Sequence, residues 1–152
     1  MIWINIMKLS LYMDIVIKET LQKYPIVPRL QRKLHADQYE LVQLERDSLV
    51  EISAVAVHYD EKYFENLFKY SRERLIHENN KLNSYAYLPF TIGSRNCYWM
   101  RFAYRQAKIY IATLSQKFIF TESSNTLEKL HFPSGTVNLF AAPFEVTIGL
   151  EK

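Results

Sequence analysis

Leu9, Met13, Val16, Thr20 and Tyr24 recur at three- and four-residue spacing, which places them on one helical face and predicts a helix from about Leu9 to Lys23. Pro25 and Pro28 end it, because proline has no N–H for the helical ladder and its ring disfavours helical backbone before it. From Arg29 to Val57 the pattern becomes a partial alternation of Leu, Val, Ile and Tyr with polar residues, which is the period of short strands. Arg46-Asp47-Ser48, between Leu41-Val42 and Leu49-Val50, reads as a turn. Tyr59 to Pro89 is polar and irregular, apart from a charged piece around Phe68 to Glu78 that reads as helical. Helical spacing returns with Met100, Ala103, Ala107, Ile111, Leu114 and Phe118. Beyond Phe120 comes a loop, Thr121 to Asn125, and then strand-like pieces at Val137 to Phe140 and Phe144 to Leu150, punctuated by Gly135 and Pro143. No internal repeat or low-complexity segment interrupts this order, and the pattern predicts an α+β chain that is mainly α.

Composition narrows the class. A chain of 152 residues with 49% hydrophobic and 23% charged residues has the size of one domain and enough apolar material for a core, which argues against disorder. Net charge is +3 with no run of five basic residues, so nothing supports nucleic-acid binding. One cysteine excludes an intramolecular disulfide framework and multi-cysteine zinc patterns, in keeping with a reducing compartment or a cytosolic membrane face. Met1 to Met7 is apolar, but Asn5 interrupts it and Lys8 ends it, far short of the ~20 residues that span a bilayer. It also lacks the basic leader and small-residue cleavage site of a signal peptide.

The chemistry concentrates in Phe90-Thr91-Ile92-Gly93-Ser94-Arg95-Asn96-Cys97. The only cysteine follows a glycine-containing loop, with an arginine two positions before it, and stands at or just before the N-terminus of the second long helix. Both the helix end and the arginine favour negative sulfur there, which suits a thiolate metal ligand. On residue type alone a single cysteine reads rather as a small buried hydrophobe.

Phe-x-x-Gly-x-Arg-x-Cys, continued by Met100-Arg101-Phe102-Ala103, resembles the haem-binding signature of the cytochrome P450 superfamily in its microsomal form. Tyr12 to Pro25 is similar to that family's K helix, which carries Glu-x-x-Arg. Ala56-Val57-His58-Tyr59-Asp60 resembles its Ala-x-His-x-Asp turn, and Lys69 to Leu75 its Pro-Glu-Arg-Phe segment. All four landmarks stand in the family order.

The resemblance implies the C-terminal part of the cytochrome P450 fold over residues 1–152: K helix, small antiparallel sheets, meander, cysteine-ligand loop and L helix. It implies that the N-terminal anchor and the oxygen-activating I helix are absent from this stretch, so that membrane association belongs to that part. The expected cofactor is haem b, its iron bound axially by the thiolate of Cys97, with Arg95 and Arg29 on the propionates, Phe90 packed near the sulfur and Gly93 in the loop. The expected reaction is monooxygenation of small apolar substrates with O2 and electrons from an NADPH-dependent reductase, at the cytosolic face of the endoplasmic reticulum membrane. Lys18, Arg101 and Lys108 are candidates for the reductase-facing surface, and Val27, Pro28 and Phe140 for the substrate pocket.

Glu19 belongs to a position that in the family joins a buried charge cluster. Here Gln22 replaces the helix arginine, while Arg74 keeps the third place. On hydrophobic pattern alone, Glu19 and Gln22 read as a solvent-facing pair. Trp99 stands two residues after the cysteine, where the family has a small residue under the porphyrin, and Ser71-Arg72, Thr91, Ser94 and Asp47 replace residues of demanding geometry. These departures imply relaxed constraint, and with it two further readings: a non-catalytic haem- or partner-binding remnant, or a chain with no ligand and no autonomous fold.

Overall fold

The computed structural model describes residues 2–35, 38–39, 42–71, 85–127, 130–133, 138, 141, 143 and 146–150, with side chains in the first helix from Ser10 onward. In chain order the elements are α1 (Ile2–Lys23), β1 (Arg29–Lys33), β2 (Gln38–Tyr39), β3 (Val42–Gln43), β4 (Leu49–Ser53), α2 (Ala54–His58), α3 (Met100–Ser115), β5 (Phe118–Thr121) and β6 (Thr147–Leu150). Among the described residues the strands form three separate two-stranded antiparallel sheets, β1 with β4, β2 with β3 and β5 with β6.

The first helix begins well before the expected Leu9 and ends where the prolines require, at Lys23. Its buried face is not the apolar stripe of the sequence reading. Ile15, Glu19 and Gln22 share one face by four- and three-residue spacing and are buried, together with Ile17, whereas of the expected stripe Met13, Val16 and Tyr24 are only partly buried and Thr20 is exposed.

β1 and β4 pair in the register Arg29↔Ser53, Gln31↔Glu51 and Lys33↔Leu49. Between them Asp47 adopts φ +65°, the left-handed conformation that a glycine takes most easily, and its N–H donates to the Leu34 carbonyl. The expected turn at residues 46–48 is present, but it leads from β3 into a strand paired with β1, not with β3. The segment 54–58 is helical where the alternation predicted strand. Ser53 caps it by accepting from the Ala56 N–H at 3.1 Å, and the Pro28 carbonyl accepts from Ala54 N–H at 2.9 Å. Residues 68–71 are not helical, and the rest of the expected helix to Glu78 lies outside the described residues. Phe118 belongs to β5, so the last position of the expected α3 stripe falls beyond the helix.

Among the described residues Phe64, Leu67 and Ala86 form an apolar cluster, with Val57, Tyr59, Tyr63 and Tyr87 packed against it, and Ile15, Ile17, Leu34, Ala54 and Leu88 are also buried. Beside it sit three polar side chains with no solvent exposure, Glu19, Gln22 and His58. Gln22 Nε2 donates to the His58 carbonyl at 2.6 Å, and His58 Nδ1 lies 2.9 Å from the Gln22 carbonyl, so the end of α1 and the end of α2 are bolted in both directions. Tyr59 Oη donates to the Lys23 carbonyl at 2.9 Å, and Tyr70 Oη to the Val16 carbonyl at 2.9 Å. Across α1, Lys108 of α3 reaches Asp14 at 2.7 Å.

No described residue of α3 is fully buried, and Phe102, Ile109, Tyr110, Ile119, Phe120 and Ile148 are exposed along α3, β5 and β6. The accessible surface is 12700 Å². A compact monomer of 18.1 kDa exposes roughly 8,000 Å² by the usual size scaling.

Two outcomes follow. The chain expressed alone should self-associate through its uncovered apolar surface, and sedimentation velocity should show polydisperse species; a monodisperse monomer would contradict this. Gln22→Leu keeps the volume but leaves the His58 carbonyl without its donor, which should cost about 1–3 kcal/mol locally. Native-state hydrogen exchange should then accelerate at the α2 amides and leave the α3 amides unchanged.

Candidate functional site

The approach to Cys97 is built from backbone hydrogen bonds. The Leu88 N–H is held by His58 Nε2 at 2.8 Å, and the Leu88 carbonyl accepts from Thr91 N–H at 3.3 Å. Thr91 adopts φ +60° and Gly93 φ +86°, so two left-handed residues turn the chain back on itself. Glycine adopts that backbone freely, whereas a β-branched threonine there is strained, and its hydroxyl donates to the Arg95 carbonyl at 3.1 Å to hold the turn. The Asn96 N–H closes onto the Gly93 carbonyl at 3.2 Å, and the Cys97 N–H onto the Phe90 carbonyl at 2.9 Å. The sulfur is thereby carried on a closed loop three residues ahead of α3, whose first N–H, at Met100, donates to the Cys97 carbonyl at 3.3 Å.

Cys97 is partly buried and lines a cleft of about 610 Å³ with Asn96, Tyr98, Trp99, Met100, Arg101, Phe102 and Arg105. Trp99 lies 65% exposed in this cleft, edge-on to Tyr98 at 5.6 Å and to Phe102 at 5.9 Å between ring centroids. Its side chain makes no capping hydrogen bond to α3. Phe90 packs its ring on Tyr104 at 5.3 Å.

The expected cations divide. Arg95 is exposed and forms no ion pair among the described residues, whereas Arg29 is exposed with Glu51 3.9 Å away. Lys18, Arg101 and Arg105 line a second cleft of about 270 Å³ with Asp14 and Tyr104. Lys108, expected on the same surface, is tied to Asp14 instead and is partly buried. Val27 is exposed and Pro28 half-buried, while Phe140 lies outside the described residues.

Glu19 and Gln22 are not a solvent-facing pair: both have no exposure, because the spacing that puts them one turn apart turns that face inward. Glu19 Oε1 accepts from the Ser71 N–H at 2.9 Å. Gln22 spans to α2, and Arg74 lies outside the described residues.

His58 and the tyrosines behind the loop are the groups that periodicity did not single out. The His58 ring stacks on Tyr87 at 5.8 Å with planes 11° apart, and Phe64 meets it edge-on. Burial lowers its basicity below the usual imidazole value, partly offset by its bond to the Gln22 carbonyl. Burial pushes the Tyr87 hydroxyl far upward, reinforced by its bond to Tyr104; the Tyr104 hydroxyl is also raised by burial. Tyr87 Oη lies 3.3 Å from Tyr104 Oη and donates to the Lys18 carbonyl at 3.2 Å, linking the loop, α3 and α1. The one signal in the sequence was the histidine of the Ala56 to Asp60 turn.

The residues present fit an axial thiolate: a cysteine whose backbone is fixed, opening into a cleft, with exposed arginines nearby for carboxylates. They are crowded at one point, Trp99, which occupies the same cleft as the sulfur.

The Cytochrome P450 family model matches residues 4–147. Cytochrome P450 6B2 of Helicoverpa armigera is 39% identical over 145 residues, covering 87% of this chain and 29% of the relative. Cytochrome P450 6j1 of Blattella germanica is 38% identical over 86% of this chain and 26% of its own length. Cytochrome P450 3A41 of Mus musculus is 36% identical over 76% and 23%. The chain therefore spans less than a third of the length of the curated relatives it matches. On the family match and on these relatives, whose similarity runs through the closed cysteine loop, the chain belongs to the cytochrome P450 family.

Proposed function

We propose that this stretch of chain is the K-helix-to-L-helix part of a haem-thiolate monooxygenase, with α1 as the K helix, α3 as the L helix and Cys97 as the axial ligand. The observation that carries the reading is the loop in which the Cys97 N–H is tied to the Phe90 carbonyl while the sulfur's residue lines an open cleft. Haem bound there would supply oxygen chemistry made possible by an electron-rich sulfur on iron. In this reading Cys97 provides the sulfur, and Gly93 and Thr91 give the loop its return. Phe90 screens the proximal side, and Arg95 and Arg29 hold the propionates by charge-assisted hydrogen bonds. Glu19, Gln22 and Arg74 form the structural cluster behind it. The residues of this stretch are assigned no oxygen activation and little substrate recognition, beyond Val27, Pro28 and Phe140 along a pocket for small apolar compounds.

The electron donor in this reading is an NADPH-linked reductase, and the location is the cytosolic face of the endoplasmic reticulum membrane. No helix among the described residues is long and apolar enough to cross a membrane. The basic cleft of Lys18 and Arg101 suits an acidic docking surface, with Arg105 in the place given to Lys108 by the sequence. A second reading, a non-catalytic haem- or partner-binding remnant, is favoured by Trp99 in the cleft.

After reconstitution with haem, the ferrous carbonyl complex should show the strongly red-shifted Soret band of thiolate ligation, and Cys97→Ala should abolish it. Trp99→Gly relieves overpacking worth about 1–3 kcal/mol, so the thiolate species should rise at least about fivefold at limiting haem. A band that persists in Cys97→Ala refutes the ligand. A band absent from every variant, even with the rest of a family domain supplied in trans, favours the remnant.

Reductase association should slow with rising ionic strength, and Lys18→Glu with Arg101→Glu should remove most of that salt dependence. Stopped-flow rates unaffected by salt or by the reversals would contradict the docking surface.

A further inference from the structure

The imidazole of His58 touches two chain segments that are thirty or more positions away from it in sequence, and it can serve both in one state only. Leu88 N–H is a donor, so Nε2 must accept; the Gln22 carbonyl is an acceptor, so Nδ1 must carry the proton. This fixes a single neutral tautomer. A protonated ring would place an N–H against the Leu88 N–H, with no solvent at the site to take either. From Leu88 the connection runs onward through the Thr91 N–H on the Leu88 carbonyl to the Phe90 carbonyl that accepts from Cys97. Thr91 is held in the left-handed region, a conformation that persists only while its surroundings enforce it.

We propose that His58 is a positioning residue for the cysteine loop, a latch that holds Leu88, and through it the Cys97 amide, only while its imidazole is neutral. The ionisable groups around it are Tyr87, stacked on the ring from the loop, Tyr104 of α3 behind Tyr87, Glu19 and Lys23 on α1, and Tyr59 and Asp60 at the end of α2. Both ring nitrogens face backbone groups, so no carboxylate is hydrogen-bonded to the ring to hold a second proton. Burial lowers the folded imidazole below its ordinary value of 6.5. The latch is therefore fully closed above that value, and its contribution is lost as the pH falls through the lower folded midpoint. The consequence for a bound haem rests on the reading of Cys97 as its ligand, but the latch itself does not.

The test is hydrogen–deuterium exchange of the full chain without haem, corrected for the intrinsic pH dependence of exchange. Leu88 and Cys97 amides should be protected at pH 7.5 and lose protection together, by up to about tenfold for each pH unit as the pH falls from 6.5 towards the lower folded midpoint, while α3 stays protected. His58→Gln keeps an acceptor near Nε2 that does not titrate, and should preserve protection in acid. His58→Asn keeps the donor to Gln22 but not the acceptor, and should lose Leu88 and Cys97 protection at pH 7.5. Protection in the unmutated chain that does not change with pH overturns the proposal, as does loss at Leu88 with Cys97 unchanged, whether or not either variant folds. A titrating loop without a thiolate spectrum defeats the haem reading and leaves the latch standing; a thiolate spectrum on a loop that does not titrate does the reverse.

Discussion

Among the described residues, three fully buried polar side chains, Glu19, Gln22 and His58, constrain the rest of the structure. Taking such groups out of water without partners costs more than most single contacts return, so their presence in the interior fixes which segments must meet. Gln22 and His58 satisfy each other's backbone, Glu19 accepts from the loop at Ser71, and His58 reaches forward to Leu88. The apolar cluster of Phe64, Leu67 and Ala86 does not select that arrangement alone, because hydrophobic contact is not directional. The polar groups supply the direction.

The cysteine loop inherits this order. Its shape depends on two left-handed residues and on carbonyls that point inward, and neither is a feature of side-chain chemistry at the sulfur itself. The Cys97 sulfur takes its place from this backbone turn, through the Cys97 N–H on the Phe90 carbonyl. Trp99 is the exception to the local logic: a large side chain left in the cleft, with no cap on α3 to justify it.

Much of this was legible in sequence. The C-terminal end of α1, the position of α3, the strands flanking Asp47 and the loop before Cys97 follow from prolines, periodicity and glycine, which act locally. What escaped was set by tertiary contact. The inward face of α1 carries Glu19 and Gln22, so a reading based on apolar periodicity turned the helix the wrong way round. Ala54 to His58 alternates like a strand but folds as a turn of helix because Ser53 caps it and the Pro28 carbonyl accepts its first N–H. Lys108 looked like a free surface cation until α3 brought it against Asp14, a pairing that no local pattern encodes.

The pairing of β5 with β6 has a consequence in time. Phe118, Ile119 and Phe120 form a short strand whose only partner among the described residues lies about 25 residues further along the chain. At ~5–20 residues per second, synthesis leaves that strand without its partner for one to several seconds. During that interval its unpaired N–H and carbonyl groups, flanked by large apolar side chains, are a template for any other extended segment. The order in which this sequence is written therefore makes β5 the place where a nascent copy is most exposed to mispairing with its neighbour on the same message.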